Sequence, residues 1–164
     1  MTHQKYLSMK FGSLTLQIVL HLYNQKIEKF FQRKILESFR KKKPNKSQLD
    51  NLVFAFNVCR YAKSNAIVLA SNKSTVGIGS GQPSRLDSCE IAIDKMNKFS
   101  KIKNDIVAAS DAFFPFVDGV EKLVQSGVSA IIQPAGSIRD KEIIKFANET
   151  NTVLIFSKTR HFKH

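Results

Sequence analysis

The chain has 164 residues, of which 43% are hydrophobic, and carries a formal net charge of +13. This length is enough for one compact domain, and the composition excludes a disordered protein. No apolar run reaches the length of a membrane span, and we expect neither a secretory signal nor a membrane partner. The two cysteines, Cys59 and Cys89, are too few for a disulfide framework and lack metal-ligand spacing. We therefore predict buried thiols in a cytosolic protein.

The positive charge is concentrated near the N-terminus. Residues 1–45 contain ten Lys or Arg against two Glu, and RKKK at 40–43 is the densest run. Such runs are usually solvated faces or linkers. Because no aromatic-interleaved RNA-binding motif accompanies the charge, we do not expect a nucleic-acid partner. A non-catalytic basic module that binds nucleotides or RNA stays open as an alternative.

The first 45 residues predict a basic strand and helix arm. Residues 14–23 alternate between apolar and polar side chains, which indicates a strand, and apolar residues in 24–39 recur at helical spacing. Pro44 disfavours helix at the residue before it. We therefore divide the chain into a divergent basic segment, 1–45, and a domain, 46–164.

The domain begins with a predicted helix that continues to about residue 63. Ser47 is the expected N-cap, and Asp50, three residues later, would complete a shortened capping box. The helix should bury one apolar face, made by Leu49, Val53, Phe56 and Tyr61 or their neighbours.

The remaining elements alternate between short buried strands and helices. Strands at 65–70 and 75–80 flank a polar turn and predict a hairpin. The later elements are a helix at 84–96, a strand at 106–110, a helix at 119–127, a strand at 128–134, a helix at 139–150 and a strand at 152–157. This alternation predicts an α/β layered fold in which helices pack on a mixed sheet.

Three predicted loops follow strands and contain candidate site residues. VGIGSGQPSR at 76–85 has glycines at alternate positions, which indicates either a backbone close to a ligand or an ordinary glycine turn. SDAFFPF at 110–116 combines three phenylalanines with a proline, and IIQPAGSIRD at 131–140 leads from a strand into a helix. Each loop alone is typical of a plain connection. Together they predict one cleft, with the turns at 79–85, 111–118 and 134–138 close to one another.

The side chains of this cleft favour a planar, partly anionic small molecule. Phenylalanine rings offer flat faces to a heteroaromatic ring. Asp118 can accept hydrogen bonds from ring N–H or amino groups. The terminal KTRHFKH places Arg160 immediately after a predicted strand, where it can pair with a phosphate or carboxylate.

Three long stretches identify a resemblance to a family: KSNAIVLASNKSTVGIGSGQPSRLDS, ASDAFFPFVDGVEKLVQSGVSAIIQPAGSIRDKEI and the terminal RHFKH. They resemble the C-terminal part of the AICAR transformylase/IMP cyclohydrolase family, from about Lys42 to His164. The resemblance implies a cytidine-deaminase-like α/β fold and active sites at a dimer interface. It also implies formyl transfer from 10-formyltetrahydrofolate to AICAR in purine (IMP) biosynthesis, without a metal. The zinc-deaminase pattern of H-x-E with P-C-x-x-C is absent from the sequence, which agrees.

The resemblance assigns roles to particular residues. Asn65 resembles the active-site asparagine that positions the substrate and the formyl group. The other positions divide by ligand, with Phe113, Arg160 and His164 resembling AICAR contacts and Arg85, Pro115 and Asp118 resembling reduced-folate contacts. Phe113 is the residue expected against the AICAR base, and Asp118 the carboxylate expected to hold the pterin.

Four departures from the family limit what the resemblance implies. The Lys-His motif of the type K-H-x-N-P-x-G, whose histidine is understood as the general base, does not occur in this sequence. Pro83 stands where an unbranched apolar residue is usual, and the cyclohydrolase domain is missing. Residues 1–40 do not resemble the expected preceding region, so we expect either a truncated or frameshifted gene or a genuine short form. We therefore expect a transformylase fragment that is inactive alone, with a homodimer or a complementary fragment of a split enzyme as its partner.

Overall fold

The computed structural model of the chain describes residues 42–101 and 104–164. The predicted strand at 14–23 and helix at 24–39, like the whole basic arm up to residue 41, lie outside the described residues. Within the described part the elements in chain order are α1 (Lys46–Cys59), β1 (Ile67–Ser71), β2 (Ser74–Gly79), α2 (Arg85–Phe99), β3 (Ile106–Ser110), α3 (Asp118–Gln125), β4 (Val128–Pro134), α4 (Asp140–Glu149) and β5 (Val153–Ser157). The α/β class is confirmed.

The five strands form one mixed sheet in the order β2-β1-β3-β4-β5. β1 is antiparallel to both β2 and β3, whereas β3, β4 and β5 are parallel to one another. In register, Ile67 at the start of β1 lies opposite Gly79 and Ser110 at the ends of its neighbours. The start of β1 and the ends of the other four strands therefore meet at one edge of the sheet, which we call the site edge.

The helices cover both faces of the sheet. Alternate strand residues such as Ile67 and Leu69 belong to a core cluster that also contains residues of α2, α3 and α4. Val68 and Ala70 point to the opposite face, because side chains alternate along a strand, and they are buried as well. That face is covered by α1, which packs on β1, β3 and β4.

The first helix differs from its prediction at both ends. The N-cap is Asn45, not Ser47, since the Asn45 side chain accepts a hydrogen bond from Gln48 N at 2.8 Å. The Gln48 side chain in turn accepts one from Asn45 N, which completes a capping box two residues earlier than expected. The helix ends at Cys59, and Tyr61 lies beyond it and is largely exposed. The prediction of a buried Tyr61 is wrong because the helical face does not extend that far.

The predicted hairpin is confirmed, and its turn has a simple cause. β1 and β2 are joined by Asn72 and Lys73, which both have positive φ, near 51° and 53°. A two-residue loop of this kind matches the twist of the flanking strands. Lys73 N also donates to Asn51 Oδ1 at 2.8 Å, so α1 holds the turn.

Two of the glycines in VGIGSG allow close packing rather than a turn. Gly77 and Gly79 lie inside β2, and a Cβ on either would collide with α2 backbone, at Ala92 O and Ser88 O respectively. Only Gly81, with a φ of 71°, lies in the loop that follows. The alternate glycines are therefore explained by the contact between β2 and α2, an arrangement that neither reading of the sequence anticipated.

Both cysteines are buried, as predicted, and their thiols are unpaired with each other. Burial raises the pKa of the Cys89 thiol to about 12, and it also raises the pKa of Cys59, with the negative charge of Asp111 acting in the same direction. None of the helices in the described ranges is long and apolar enough to cross a bilayer.

Candidate functional site

The site edge brings together the loops that the sequence singled out. Arg85, which follows the loop after β2, joins that loop to the loop after β3, because its Nη1 donates to Phe113 O at 3.1 Å. The loop after β4 joins through Arg139, whose guanidinium lies 5.0 Å from the centroid of the Phe116 ring. The three turns are close to one another, as predicted.

A cavity of about 470 Å³ lies at this edge. Three short segments line it: Asn65 before β1, residues 83–86 at the start of α2, and residues 114–116 with 118–119 at the start of α3. The volume is within the range of small-molecule sites. Four predicted site residues line this cavity, namely Asn65, Arg85, Pro115 and Asp118.

The Asn65 side chain is fixed by the loop after β2. Its Nδ2 donates to Gln82 O at 2.9 Å and to Pro83 O at 3.0 Å. Its main-chain N–H also donates to Gln82 O. With both amide hydrogens used, the Oδ1 atom remains an acceptor for whatever the cavity binds.

The Arg85 guanidinium is committed to partners inside the protein. Its Nη2 lies 2.7 Å from Asp111 Oδ1, and its Nε donates to Ser110 Oγ at 3.0 Å. The Arg85 side chain is only 9% exposed and that of Asp111 is fully buried. A buried charge pair of this kind needs such additional hydrogen bonds to offset desolvation. Arg85 therefore stabilises the cavity wall. Its contact with folate stays a prediction.

The three phenylalanines of SDAFFPF have three different environments. Phe114 is buried beneath Gly119, where a Cβ would meet its ring, and Phe114 N donates to Gln133 Oε1 at 2.8 Å. Phe116 is half-exposed beside the cavity, and Phe113 is half-buried. One ring thus anchors the segment in the core while the other two remain accessible to a ligand.

Asp118 is the first residue of α3, at the mouth of the cavity. Its Oδ1 accepts a hydrogen bond from Gly119 N at 2.7 Å, and the side chain is exposed. The start of a helix favours a carboxylate there. The second carboxylate oxygen is available to accept hydrogen bonds from a bound ring.

Phe113 and Arg160 form a second pair next to the cavity. The Arg160 guanidinium lies 4.9 Å from the centroid of the Phe113 ring. Gly136, in the loop after β4, has a φ of 113°, and a Cβ there would lie 3.0 Å from Arg160 Nη2. The loop after β4 therefore limits where the guanidinium can lie, and the pair offers a flat ring with a cation above it.

The C-terminal tail is held at the site edge by residues that lie between Arg160 and His164, the two predicted AICAR contacts of the tail. His161 is buried, and its ring centroid lies 4.4 Å from that of Phe56. Its main-chain N–H donates to the main-chain oxygen of Asp111 at 2.8 Å. Burial lowers the pKa of the His161 imidazole, the positive charge of Arg60 acts in the same direction, and the negative charge of Asp111 opposes both. His164 is exposed and stacks on Phe162 at 5.9 Å. Among the described contacts, none joins His164 to Phe113 or Arg160.

Sequence reasoning missed three buried polar residues that support the site: Asp111, Gln133 and His161. Each has a side-chain atom without a hydrogen-bond partner in the described part of the chain. Asp111 directly follows the fully buried strand β3, which ends in Ser110, and this position was the one signal that the sequence offered for a buried carboxylate. Nothing in the spacing distinguished His161 from the other basic residues of the tail.

Comparison with known proteins gives a consistent result. The family model described as AICARFT/IMPCHase bienzyme matches residues 5–95. The chain is 48% identical over 123 residues to the bifunctional purine biosynthesis protein PurH of Persephonella marina, covering 75% of this chain and 24% of the relative. It is 40% identical over 160 residues to PurH of Chlorobium phaeobacteroides, covering 98% and 29%, and 49% identical over 124 residues to PurH of Buchnera aphidicola, covering 76% and 23%.

These matches correct one expectation and set the extent of the similarity. The family match begins at residue 5, and the Chlorobium relative aligns with almost the whole chain, so the similarity extends well into residues 1–40. The expectation that this segment departs from the family is wrong. The chain spans about a quarter of the length of the curated relatives it matches. On these matches, the chain belongs to the AICARFT/IMPCHase bienzyme family.

Proposed function

We propose that this chain provides one part of an AICAR transformylase site. In this proposal 10-formyltetrahydrofolate occupies the cavity and AICAR lies against the Phe113–Arg160 pair. The observation that carries it is that the two groups of predicted ligand contacts lie in different places. The residues expected to bind folate line the cavity, while Phe113 and Arg160 form their own pair beside it. Family membership supports the reaction class.

The proposed reaction requires that the AICAR amine, which is a weak nucleophile, is oriented toward the formyl carbon. The AICAR amine attacks the formyl carbon and a C–N bond forms. The amine loses a proton, and the tetrahydrofolate nitrogen leaves with the electrons of its bond to that carbon and takes up a proton in turn. Asn65 Oδ1 is proposed to accept a hydrogen bond from the amine and so to orient its lone pair. The exposed carboxylate of Asp118 is proposed to hold the donor groups of the pterin ring.

The same proposal assigns no general base to the part of the chain that the structure describes. An amide such as Asn65 cannot accept the proton, His161 is buried against Phe56, and His164 stacks on the exposed Phe162. The sequence also contains no K-H-x-N-P-x-G motif. A positioned general base commonly contributes about 10²–10⁴-fold in rate. We therefore propose that the chain alone is inactive and that a second copy or a complementary chain completes the site.

We further propose that residues 46–164 form the C-terminal half of the transformylase domain. The start of α1 at Lys46, with its cap at Asn45, supports a boundary at this point. Residues 1–45 would then precede that half as a separate basic segment.

Calorimetric titration of the full chain with AICAR and, separately, with a reduced-folate analogue tests the placement of the two ligands. Asp118→Asn should weaken folate binding more than AICAR binding, and Phe113→Ala should have the opposite preference. Asp94→Asn, which removes an exposed carboxylate on α2, is the matched control and should change neither affinity. Equal weakening of both ligands by each variant would count against the proposed placement, and so would no binding at all.

A salt series distinguishes the alternative of a basic RNA-binding module. RNA binding through lysines and arginines releases counterions, and its affinity should fall steeply with salt concentration. Folate binding in the cavity should change little. Tight, salt-sensitive RNA binding without folate binding would favour the alternative.

A further inference from the structure

We propose that Asp111 is a positioning residue for the two ligands, although it lines neither binding position. It fixes the cavity wall, the Phe113 segment and the C-terminal tail relative to one another. This inference rests on the proposed function for the identity of the ligands, but not for the positioning itself.

The contacts of Asp111 reach three separate parts of the chain. Its Oδ1 lies 2.7 Å from Nη2 of Arg85, the first residue of α2. Its main-chain N–H donates to Ala66 O at 3.2 Å, just before β1. Its main-chain oxygen accepts from His161 N at 2.8 Å, in the tail. One fully buried residue therefore joins a helix start, a strand start and the chain terminus.

Each of these contacts lies next to a residue proposed to touch a ligand. Ala66 follows Asn65, and His161 follows Arg160. Arg85, held by the carboxylate, donates through Nη1 to Phe113 O. A shift of Asp111 would therefore move both binding positions at once.

The carboxylate charge is essential to this arrangement because the site is buried. Within the described part of the chain Asp111 Oδ2 has no hydrogen-bond partner, so Arg85 supplies the neutralising charge. An asparagine at 111 would keep the size of the side chain but leave the buried guanidinium without a counter-charge. We expect Arg85 to move toward water, and the Phe113 carbonyl to lose its donor.

A ligand-independent measurement tests the positioning directly. The Phe113 ring should shift the nuclear magnetic resonance signals of the Arg160 side chain, because the guanidinium lies over the ring. In Asp111→Asn this shift should largely disappear while the protein stays folded. The pair formed by Arg139 and Phe116 should keep its shift and serves as the internal control. Asp94→Asn, an exposed change of the same chemical kind, should alter neither pair.

Titration of the same variant with AICAR tests the consequence for binding. Because small displacements of a binding group are costly, Asp111→Asn should weaken AICAR binding about 10- to 100-fold. The nucleoside that lacks the phosphate should lose less affinity, because we expect Arg160 to pair with that phosphate. A residue that only stabilised the fold would lower the melting temperature and leave both the Arg160 shift and this ligand preference unchanged, which would overturn the proposal.

A second variant covers the case in which Asp111→Asn does not fold. Arg85→Lys keeps the charge, but a single ammonium cannot contact Asp111, Ser110 and the Phe113 carbonyl together. We expect the same loss of the Arg160 shift, and an unchanged shift overturns the proposal. If the unaltered chain binds neither ligand, the proposed function fails, and the resonance measurement alone decides the role of Asp111.

Discussion

The cavity wall and the C-terminal tail meet at Asp111, but different forces hold them. The wall is held by the buried Arg85–Asp111 ion pair and its hydrogen bonds to the loop after β3. The tail is held by main-chain bonds, from His161 N to Asp111 O and between Ser64 and Lys163, and by one ring contact with Phe56. Both regions carry proposed ligand contacts, yet only one depends on a buried charge.

This difference predicts two kinds of failure. A buried charge without its partner destabilises the whole fold, because the cost of desolvation is no longer offset. Loss of a neutral contact at a chain terminus can instead free that segment while the sheet stays intact. The predictions below use this distinction, beginning with the largest effect.

Breaking the ion pair should give the largest change. Arg85→Met leaves the Asp111 carboxylate buried without a counter-charge, and we expect the free energy of unfolding to fall by about 3–5 kcal/mol. Urea denaturation followed by circular dichroism measures this loss. Lys122→Met, which breaks the exposed pair with Glu90, is the matched control and should have a far smaller effect. Similar losses in the two variants would contradict the cost that we assign to a buried, unpaired charge at the wall.

Removing the imidazole from the tail should have a smaller and local effect. His161→Ala removes the contact with Phe56, and we expect a loss of about 1–3 kcal/mol in unfolding free energy. Hydrogen exchange should become faster at Lys163, whose N–H donates to Ser64 Oγ, but not at Ile131 in the centre of the sheet. Faster exchange throughout the sheet would show that the tail is part of the cooperative core.

A change in the loop after β4 should act on the Arg160 side chain without breaking the hydrogen bonds that hold the tail. Gly136→Ala places a Cβ next to Arg160 Nη2 at a φ of 113°, and we expect a cost of about 1 kcal/mol in stability. Calorimetry should also show weaker AICAR binding, because the guanidinium is displaced from Phe113. Gly127→Ala, also at positive φ but with open space around it, is the control for backbone strain alone. Equal AICAR affinity in both variants would separate Gly136 from the binding position.

The pH dependence of the tail should be the smallest effect. Burial and the charge of Arg60 lower the pKa of His161 below its ordinary value of 6.5, so the folded protein favours the neutral imidazole. The resulting stability is present above that ordinary value and is lost as the pH falls through the lower folded value. Unfolding measured from about pH 7.5 to about pH 5 should show a loss that His161→Gln removes. Greater stability in acid would mean that attraction to Asp111 outweighs burial.

Most of the sheet and helices could be predicted from periodicity alone, because buried strands and amphipathic helices leave direct patterns in the sequence. β3 and β4 occur at the predicted positions, and the predicted hairpin is present, with a turn of two residues instead of the four between the predicted strands. The cap at Asn45 was missed because Asn45 and Ser47 are both good N-cap residues and only the geometry of the chain distinguishes them.

The site was predictable only in part. The rule that ligands of α/β sheets bind at the carboxyl ends of the strands predicted that the loops lie together. The family resemblance selected Asn65, Phe113 and Asp118. The pairing of Arg85 with Asp111 depends on which buried partner lies across the sheet, which no local pattern encodes. The resemblance also placed Arg160 and His164 in one role, whereas only Arg160 lies against Phe113.

The glycines of β2 have a consequence that reaches the cavity. Because Gly77 and Gly79 have no side chain, the backbone of α2 lies directly on that of β2. Ser88, which Gly79 faces, is one helical turn after Arg85, at the end of α2 that forms the cavity wall. Any larger residue at Gly79 would have to move that end of the helix away from the sheet, and the cavity wall with it. The absence of two side chains in β2 thus sets where one wall of the cavity lies.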